Sequence, residues 1–84
     1  MHNVCVIGLG RVGLPFALFT ASRGFRVIGV DLNRDIIRSL SQGQIHFYEP
    51  GLETLLKKYK SNFEFTTDLA RAINESRIIV ICIG

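Results

Sequence analysis

Residues 4–13, Val-Cys-Val-Ile-Gly-Leu-Gly-Arg-Val-Gly, constrain the fold more than any other stretch of the chain: a short apolar run breaks into Gly-x-Gly-x-x-Gly. Val4, Val6 and the β-branched Ile7 read as a strand, and the apolar spacing after Gly13 reads as a helix. Each glycine between them has a mechanical job. Gly8 allows the tight turn from strand to helix, and Gly10, having no Cβ, lets the backbone approach a pyrophosphate. Gly13 lets the helix pack closely on the strand. The helix N-terminus then offers free N–H groups and a partial positive charge to the phosphates. A second apolar run, residues 25–30, ends at Asp31, eighteen positions beyond Gly13. A carboxylate at that place accepts hydrogen bonds from the hydroxyls of an adenosine ribose. Glycines also mark ordinary turns, so the motif alone is weak; strand before, helix after and terminal Asp together make it a dinucleotide fingerprint.

The candidate cofactor residues are therefore Gly8, Leu9, Gly10, Arg11, Val12, Gly13 and Asp31. Charge selects the dinucleotide: Asp31 welcomes a free 2′-hydroxyl and repels a 2′-phosphate, which predicts NAD over NADP. Arg34 is near enough to soften that repulsion, but three positions past Asp31 it reads as a solvated charge in the first turn of the next helix. The first helix is predicted over about residues 11–23, with Pro15 tolerated in its opening turn and Gly24 at its C-terminal cap.

The rest of the chain narrows the class. Its 84 residues are 48% hydrophobic and 20% charged, with a formal net charge of +3, the composition of a soluble globular domain. The basic residues are scattered, and the densest group, Lys57-Lys58-Tyr59-Lys60, suits the C-terminal end of an amphipathic helix. No nucleic-acid footprint is expected, since that needs a concentrated basic face. No apolar run approaches the roughly 18–20 residues of a membrane span, and the N-terminus has no signal-peptide pattern. Cys5 and Cys82 lie inside strand patterns without a CxxC spacing or a neighbouring His, and read as buried small hydrophobes in a reducing compartment. A cytoplasmic location is the expectation, and no metal site is expected.

After Asp31, Asn33 reads as the N-cap of a helix carrying Ile36, Ile37 and Leu40 and closed by Gly43. Pro50 is predicted to open another helix with the stripe Leu52, Leu55, Leu56 and Tyr59. Residues 63–66 alternate as a strand, and Thr67 or Asp68 caps a short helix with Leu69, Ala72 and Ile73. Residues 78–83, Ile-Ile-Val-Ile-Cys-Ile, read as a strand buried on both faces of a parallel sheet. The order β-α-β-α-α-β-α-β predicts a doubly wound α/β sheet of Rossmann type with strands in the order 3-2-1-4. The glycine loop and the loop after the fourth strand then flank one crevice. Residues 1–84 are expected to be a partial NAD-binding domain truncated after strand four. Nothing in them reads as a catalytic acid, base or nucleophile.

Several segments together resemble the UDP-glucose/GDP-mannose (nucleotide-sugar) dehydrogenases: residues 6–15, Val-Ile-Gly-Leu-Gly-Arg-Val-Gly-Leu-Pro; then Gly29-Val30-Asp31; then Phe47-Tyr48-Glu49-Pro50-Gly51-Leu52; then Phe65-Thr66-Thr67-Asp68-Leu69; and Val80-Ile81-Cys82-Ile83-Gly84. The Glu-Pro-Gly-Leu segment, at its distance from Asp31, is the most specific of these. The resemblance spans the chain but only the opening part of a family enzyme. It implies an NAD-dependent oxidoreductase that converts the 6-hydroxymethyl group of a nucleotide sugar to a carboxylate in two hydride transfers. It further implies a catalytic cysteine, passing through a thiohemiacetal and a thioester, located beyond residue 84, so neither Cys5 nor Cys82 inherits that role. A nucleotide-sugar substrate bound by the remainder of the protein, a homo-oligomer and a place in polysaccharide biosynthesis follow from the same resemblance. Arg11 stands where the family commonly has tyrosine, and its backbone N–H can still serve the pyrophosphate. The Glu49–Leu52 segment also reads simply as a helix start, with Glu49 near the N-terminal dipole.

A rival from another class is a regulatory NAD-binding module of the potassium-uptake type, which carries Gly-x-Gly-Arg-Val-Gly and a strand-two Asp and catalyses nothing. Such modules join the second and third strands by one helix and a short turn. Here residues 32–62 intervene, enough for two helices, and Thr66-Thr67-Asp68 replaces the usual Gly-Asp. A methyltransferase fits less well, because Gly13 and the helix after it match the dinucleotide pattern.

Overall fold

The four strand-like runs form one parallel sheet. The computed structural model describes residues 3–83. Its elements are β1 (Asn3–Ile7), α1 (Gly13–Ser22), β2 (Arg26–Val30), α2 (Arg34–Ser41), α3 (Leu52–Lys58), a 3-10 turn (Lys60–Asn62), β3 (Phe63–Thr66), α4 (Leu69–Asn74) and β4 (Ile78–Ile81). The strand order is β3-β2-β1-β4, the doubly wound arrangement expected from the element order. β1 is central, with Val6 opposite Gly29 on one side and Val80 on the other.

Alternation along the strands assigns the two faces. Val4, Val6 and Val27 point into the larger core, where they meet Leu14, Ala17 and Leu18 of α1, Leu40 of α2 and Leu52 and Leu56 of α3. Cys5, Ile28 and Val30 point to the other face, which α4 covers through Ala72. The helix ends follow local chemistry. The Asn33 side chain accepts from the N–H groups of Asp35 and Ile36, as predicted for the cap of α2. At α4 the two candidates resolve in favour of Asp68, which accepts from Arg71 N–H at 3.1 Å while Thr66 Oγ1 accepts from Asp68 N–H. Arg71 also pairs with Glu64 and Glu75, tying α4 to β3.

Two expectations are corrected. Pro50 does not open α3; the helix starts at Leu52, with Gly51 as its N-cap at φ +88°. The glycine supplies a left-handed turn no other residue adopts cheaply, so Pro50 stays in the turn before the helix. The stripe of α3 is as expected, Leu52 and Leu56 buried and Leu55 and Tyr59 half-buried. The fourth strand is shorter than its apolar run and is not buried on both faces: Ile79 and Ile81 are 43% and 64% exposed. β4 is an edge among the described residues, paired only with β1, and α4 covers the sheet over β1 and β2.

Candidate cofactor site

The glycine loop between β1 and α1 is held from three sides. Gly8 takes φ +94° and donates its N–H to Val30 O at 2.8 Å, so the loop turns directly against the end of β2. Behind it, Cys82 donates its N–H to Ile7 O at 2.7 Å. The fit is close: a Cβ on Gly8 would lie 2.7 Å from Cys82 O, and one on Gly13 would lie 1.7 Å from Gly8 O and 3.1 Å from Cys82 Cβ. Gly8, Gly13 and Cys82 thus interlock, and α1 starts as near the strand as its backbone allows. Gly10 differs. A Cβ there would meet nothing within 4 Å, so no described protein atom requires glycine at that position. The open space beside it is what a bound diphosphate needs.

Asp31 closes the third side. Its Oδ2 accepts from Leu9 N–H at 3.0 Å and its Oδ1 accepts from Asn33 N–H at 3.0 Å. The carboxylate therefore fastens the glycine loop to the end of β2 and turns the chain into α2. Each oxygen keeps a further lone pair, enough for a pair of ribose hydroxyls. Leu9 takes a fastening part too: its N–H is engaged by Asp31 and its side chain is fully buried. The donors left for a ligand come next in sequence. Gly10, Arg11, Val12 and Gly13 donate no backbone hydrogen bond to any described residue, while Leu14 N–H already donates to Gly10 O. Unmatched N–H groups at the start of a helix, with the helix dipole behind them, suit an anion.

The Arg11 side chain is exposed and its guanidinium lies over the Phe47 ring, 5.2 Å from the centroid. Val12 and Leu32, which follow Gly10–Arg11 and Asp31, are 72% and 78% exposed, apolar surface beside the charged positions. Arg34 is exposed in the first turn of α2, as predicted. Three contributors were missed by sequence reasoning: the Asp31–Leu9 bond, Cys82 as the backing of the loop, and Phe47. For Cys82 the available signal was its position at the end of the fourth strand, which the 3-2-1-4 order places beside β1.

Two clefts lie outside the glycine loop. One of about 420 Å³ is lined by Leu40, Leu56, Lys57, Lys60, Phe63 and Phe65, the other of about 400 Å³ by residues of the 45–54 segment. The glycine loop is not a closed cleft because its β4 side is open among the described residues, with Ile83 74% exposed. A crevice at a topological switch point has two walls, and the loop after β4 lies on the side of the second. Cys5 is fully buried and burial pushes its thiol up. Among the described residues no group of three or more His, Cys, Asp or Glu could hold a metal ion, and no helix is long and apolar enough to cross a membrane.

Comparison with known proteins bears on the same residues. The model of the UDP-glucose/GDP-mannose dehydrogenase family, NAD binding domain, matches residues 2–84. The UDP-glucose 6-dehydrogenase of Bacillus subtilis is 41% identical over 86 aligned positions, covering 100% of this chain and 19% of that protein. The UDP-N-acetyl-D-mannosamine dehydrogenase of Campylobacter jejuni is 53% identical over 55 residues, covering 66% of this chain and 14% of that protein. A ternary-complex crystal structure of the GDP-mannose dehydrogenase from Pseudomonas aeruginosa superposes with a TM-score of 0.92 at 37% identity, covering 100% of this chain and 20% of that one. The chain thus spans about a fifth or less of the length of these relatives.

Proposed function

Since the chain belongs to the UDP-glucose/GDP-mannose dehydrogenase family, matching its NAD-binding domain, we propose that residues 3–83 bind NAD for a nucleotide-sugar 6-dehydrogenase. One observation carries the assignment of the site: four successive unengaged N–H groups, Gly10 to Gly13, beside open space at Gly10 and a carboxylate tied to the same loop. In this reading the N–H groups of Gly10, Arg11, Val12 and Gly13 hold the pyrophosphate. Gly8 and Leu9 set the loop's shape, and Asp31 receives the adenosine ribose hydroxyls while excluding a 2′-phosphate. Bound there, NAD supplies the hydride acceptor.

The reaction proposed for the intact protein is oxidation of the sugar C6 hydroxymethyl group to a carboxylate with two NAD, as in UDP-glucose to UDP-glucuronate. Relatives named for UDP-glucose, GDP-mannose and UDP-N-acetylmannosamine match this stretch alike, so the sugar is read by residues outside it. In this reading the catalytic nucleophile lies outside it as well, which the burial of Cys5 and the packing of Cys82 behind the glycine loop support. The 84-residue chain by itself is proposed to be inactive, and the working enzyme to be a cytoplasmic homo-oligomer. The non-catalytic potassium-uptake type of module is disfavoured by the observed connection, in which both α2 and α3 separate β2 from β3. Hydride transfer is tested by following NADH absorbance with the intact protein and each of the three nucleotide sugars. Turnover of one supports the reading; NAD binding without turnover of any would favour the regulatory alternative.

A further inference from the structure

The contact between Arg11 and Phe47 joins two parts of the chain that no backbone hydrogen bond connects. Arg11 belongs to the glycine loop, and Phe47 to the connection between α2 and α3, thirty-six positions later. At 5.2 Å from the ring centroid the guanidinium is within cation–π reach. Among the described residues no carboxylate pairs with Arg11, although Arg38 and Arg71 both have acidic partners. The ring is thus what fixes the position of this charge. Phe47 is fixed in turn: it is half-buried against the larger core, and the His46 ring meets it edge-on at 4.9 Å and 89°.

We propose that Phe47 is a positioning residue for the cofactor: its ring face confines the guanidinium of Arg11, itself a residue of the glycine loop, so that the charge attracts the diphosphate of NAD. The inference rests on the reading of that loop as the NAD site. The backbone of residue 11 serves the phosphates whatever its side chain, so the guanidinium is a separate contribution. An arginine side chain free in solvent samples many rotamers, and little of its charge would stay at the loop. Confined on a ring it adds a standing positive charge to the helix N-terminus, which by itself offers about half an elementary charge. The α2–α3 connection, remote in sequence from the fingerprint, becomes part of the cofactor site.

The test is a double-mutant cycle on the intact protein, with NAD and ADP-ribose affinities measured by calorimetry for wild type, Phe47→Leu, Arg11→Met and the double variant, plus Phe47→Trp. Leucine keeps apolar bulk at 47 but removes the ring face. Phe47→Leu is expected to weaken both ligands by about threefold to fivefold, the range an exposed cation–π contact can transmit. Arg11→Met is expected to do at least as much, and the double variant no more than Arg11→Met alone. Phe47→Trp should bind as wild type. The deficit of Phe47→Leu should also shrink at high salt, where exposed charges are screened. Equal weakening by Phe47→Leu in the wild-type and Arg11→Met backgrounds would show that Phe47 acts only through the fold and would overturn the assignment. Unimpaired binding by Phe47→Leu would overturn it too, while leaving the cofactor site standing. Absence of NAD binding by the wild type would remove the site itself, and the inference with it.

Discussion

Alanine at Gly10 and alanine at Gly13 should have opposite effects, although the two residues share one motif. At Gly13 the new Cβ would stand 1.7 Å from Gly8 O, against the roughly 3.3–3.6 Å of an ordinary carbon–oxygen contact. Something must therefore move by on the order of 1.5 Å. The clashing atom is backbone, and it cannot retreat freely: Gly8 is held by its N–H bond to Val30 O, and the preceding Ile7 O accepts from Cys82 N–H at 2.7 Å. Overpacking a core typically costs about 1–3 kcal/mol, and a rigid backbone clash belongs at or above the top of that range. About 3 kcal/mol lowers the folded-to-unfolded ratio more than a hundredfold, since ~1.4 kcal/mol is a factor of ten. At Gly10 no atom of the described residues beyond its chain neighbours lies within 4 Å of the added methyl, so stability should stay within about 0.5 kcal/mol of wild type. The methyl instead enters the space assigned to the diphosphate, and NAD affinity should fall by about tenfold or more. Urea unfolding followed by circular dichroism, together with calorimetric NAD titration of the intact protein, reads both quantities. Wild-type NAD affinity in Gly10→Ala, or destabilisation by Gly10→Ala equal to that by Gly13→Ala, would refute the division of labour drawn here.

Asp31→Ser should lower NAD affinity and narrow the preference for NAD over NADP, because it removes both the repulsive carboxylate and the acceptor for Leu9 N–H; parallel titrations of the two cofactors measure this, and tighter NADP binding by the unmutated protein would contradict it. In native conditions near pH 8 an alkylating reagent should modify Cys82 well before Cys5, since Cys5 is fully buried and its thiol is pushed up; peptide mapping by mass spectrometry would show the order, and equal labelling would contradict the burial. A polypeptide of these 84 residues alone should give no NADH signal with UDP-glucose, UDP-N-acetylmannosamine or GDP-mannose. The same polypeptide should associate through β4, whose exposed Ile79 and Ile81 carry no charge to blunt the edge. Light scattering after size exclusion tests it: Ile79→Lys with Ile81→Lys should shift the population toward monomer, and a monomeric unmutated chain would contradict it.

The architecture was legible wherever a residue's role is set by its own chain neighbours. Strand periodicity, the Asn33 and Asp68 caps and the glycine motif are local, and with the right-handed crossover rule they fix the order β3-β2-β1-β4. Pro50 misled because its preference for a first helical turn is weaker than the left-handed turn at Gly51, a conformation visible only in φ. β4 misled because an apolar run reports what a strand can bury, and Ile78 to Ile81 pair only with β1 among the described residues, while α4 covers the sheet over β1 and β2. In the site, Asp31 was found for its charge toward a ribose, but its bond to Leu9 N–H depends on how two loops meet. Phe47 was legible as part of a segment resembling the dehydrogenases, and its contact with Arg11 was not, since a pair thirty-six positions apart leaves no periodic trace.

The most direct test of the cofactor assignment is a crystal structure of the intact protein with NAD bound. The pyrophosphate oxygens should lie about 2.7–3.2 Å from the backbone nitrogens of residues within 10–13, and the adenosine ribose hydroxyls should donate to Asp31 at similar distances. Leu9 N–H should remain on Asp31 Oδ2, the bond seen in this structure. NAD seated away from the Gly8–Gly13 loop, or bound with its ribose remote from Asp31, would contradict the assignment.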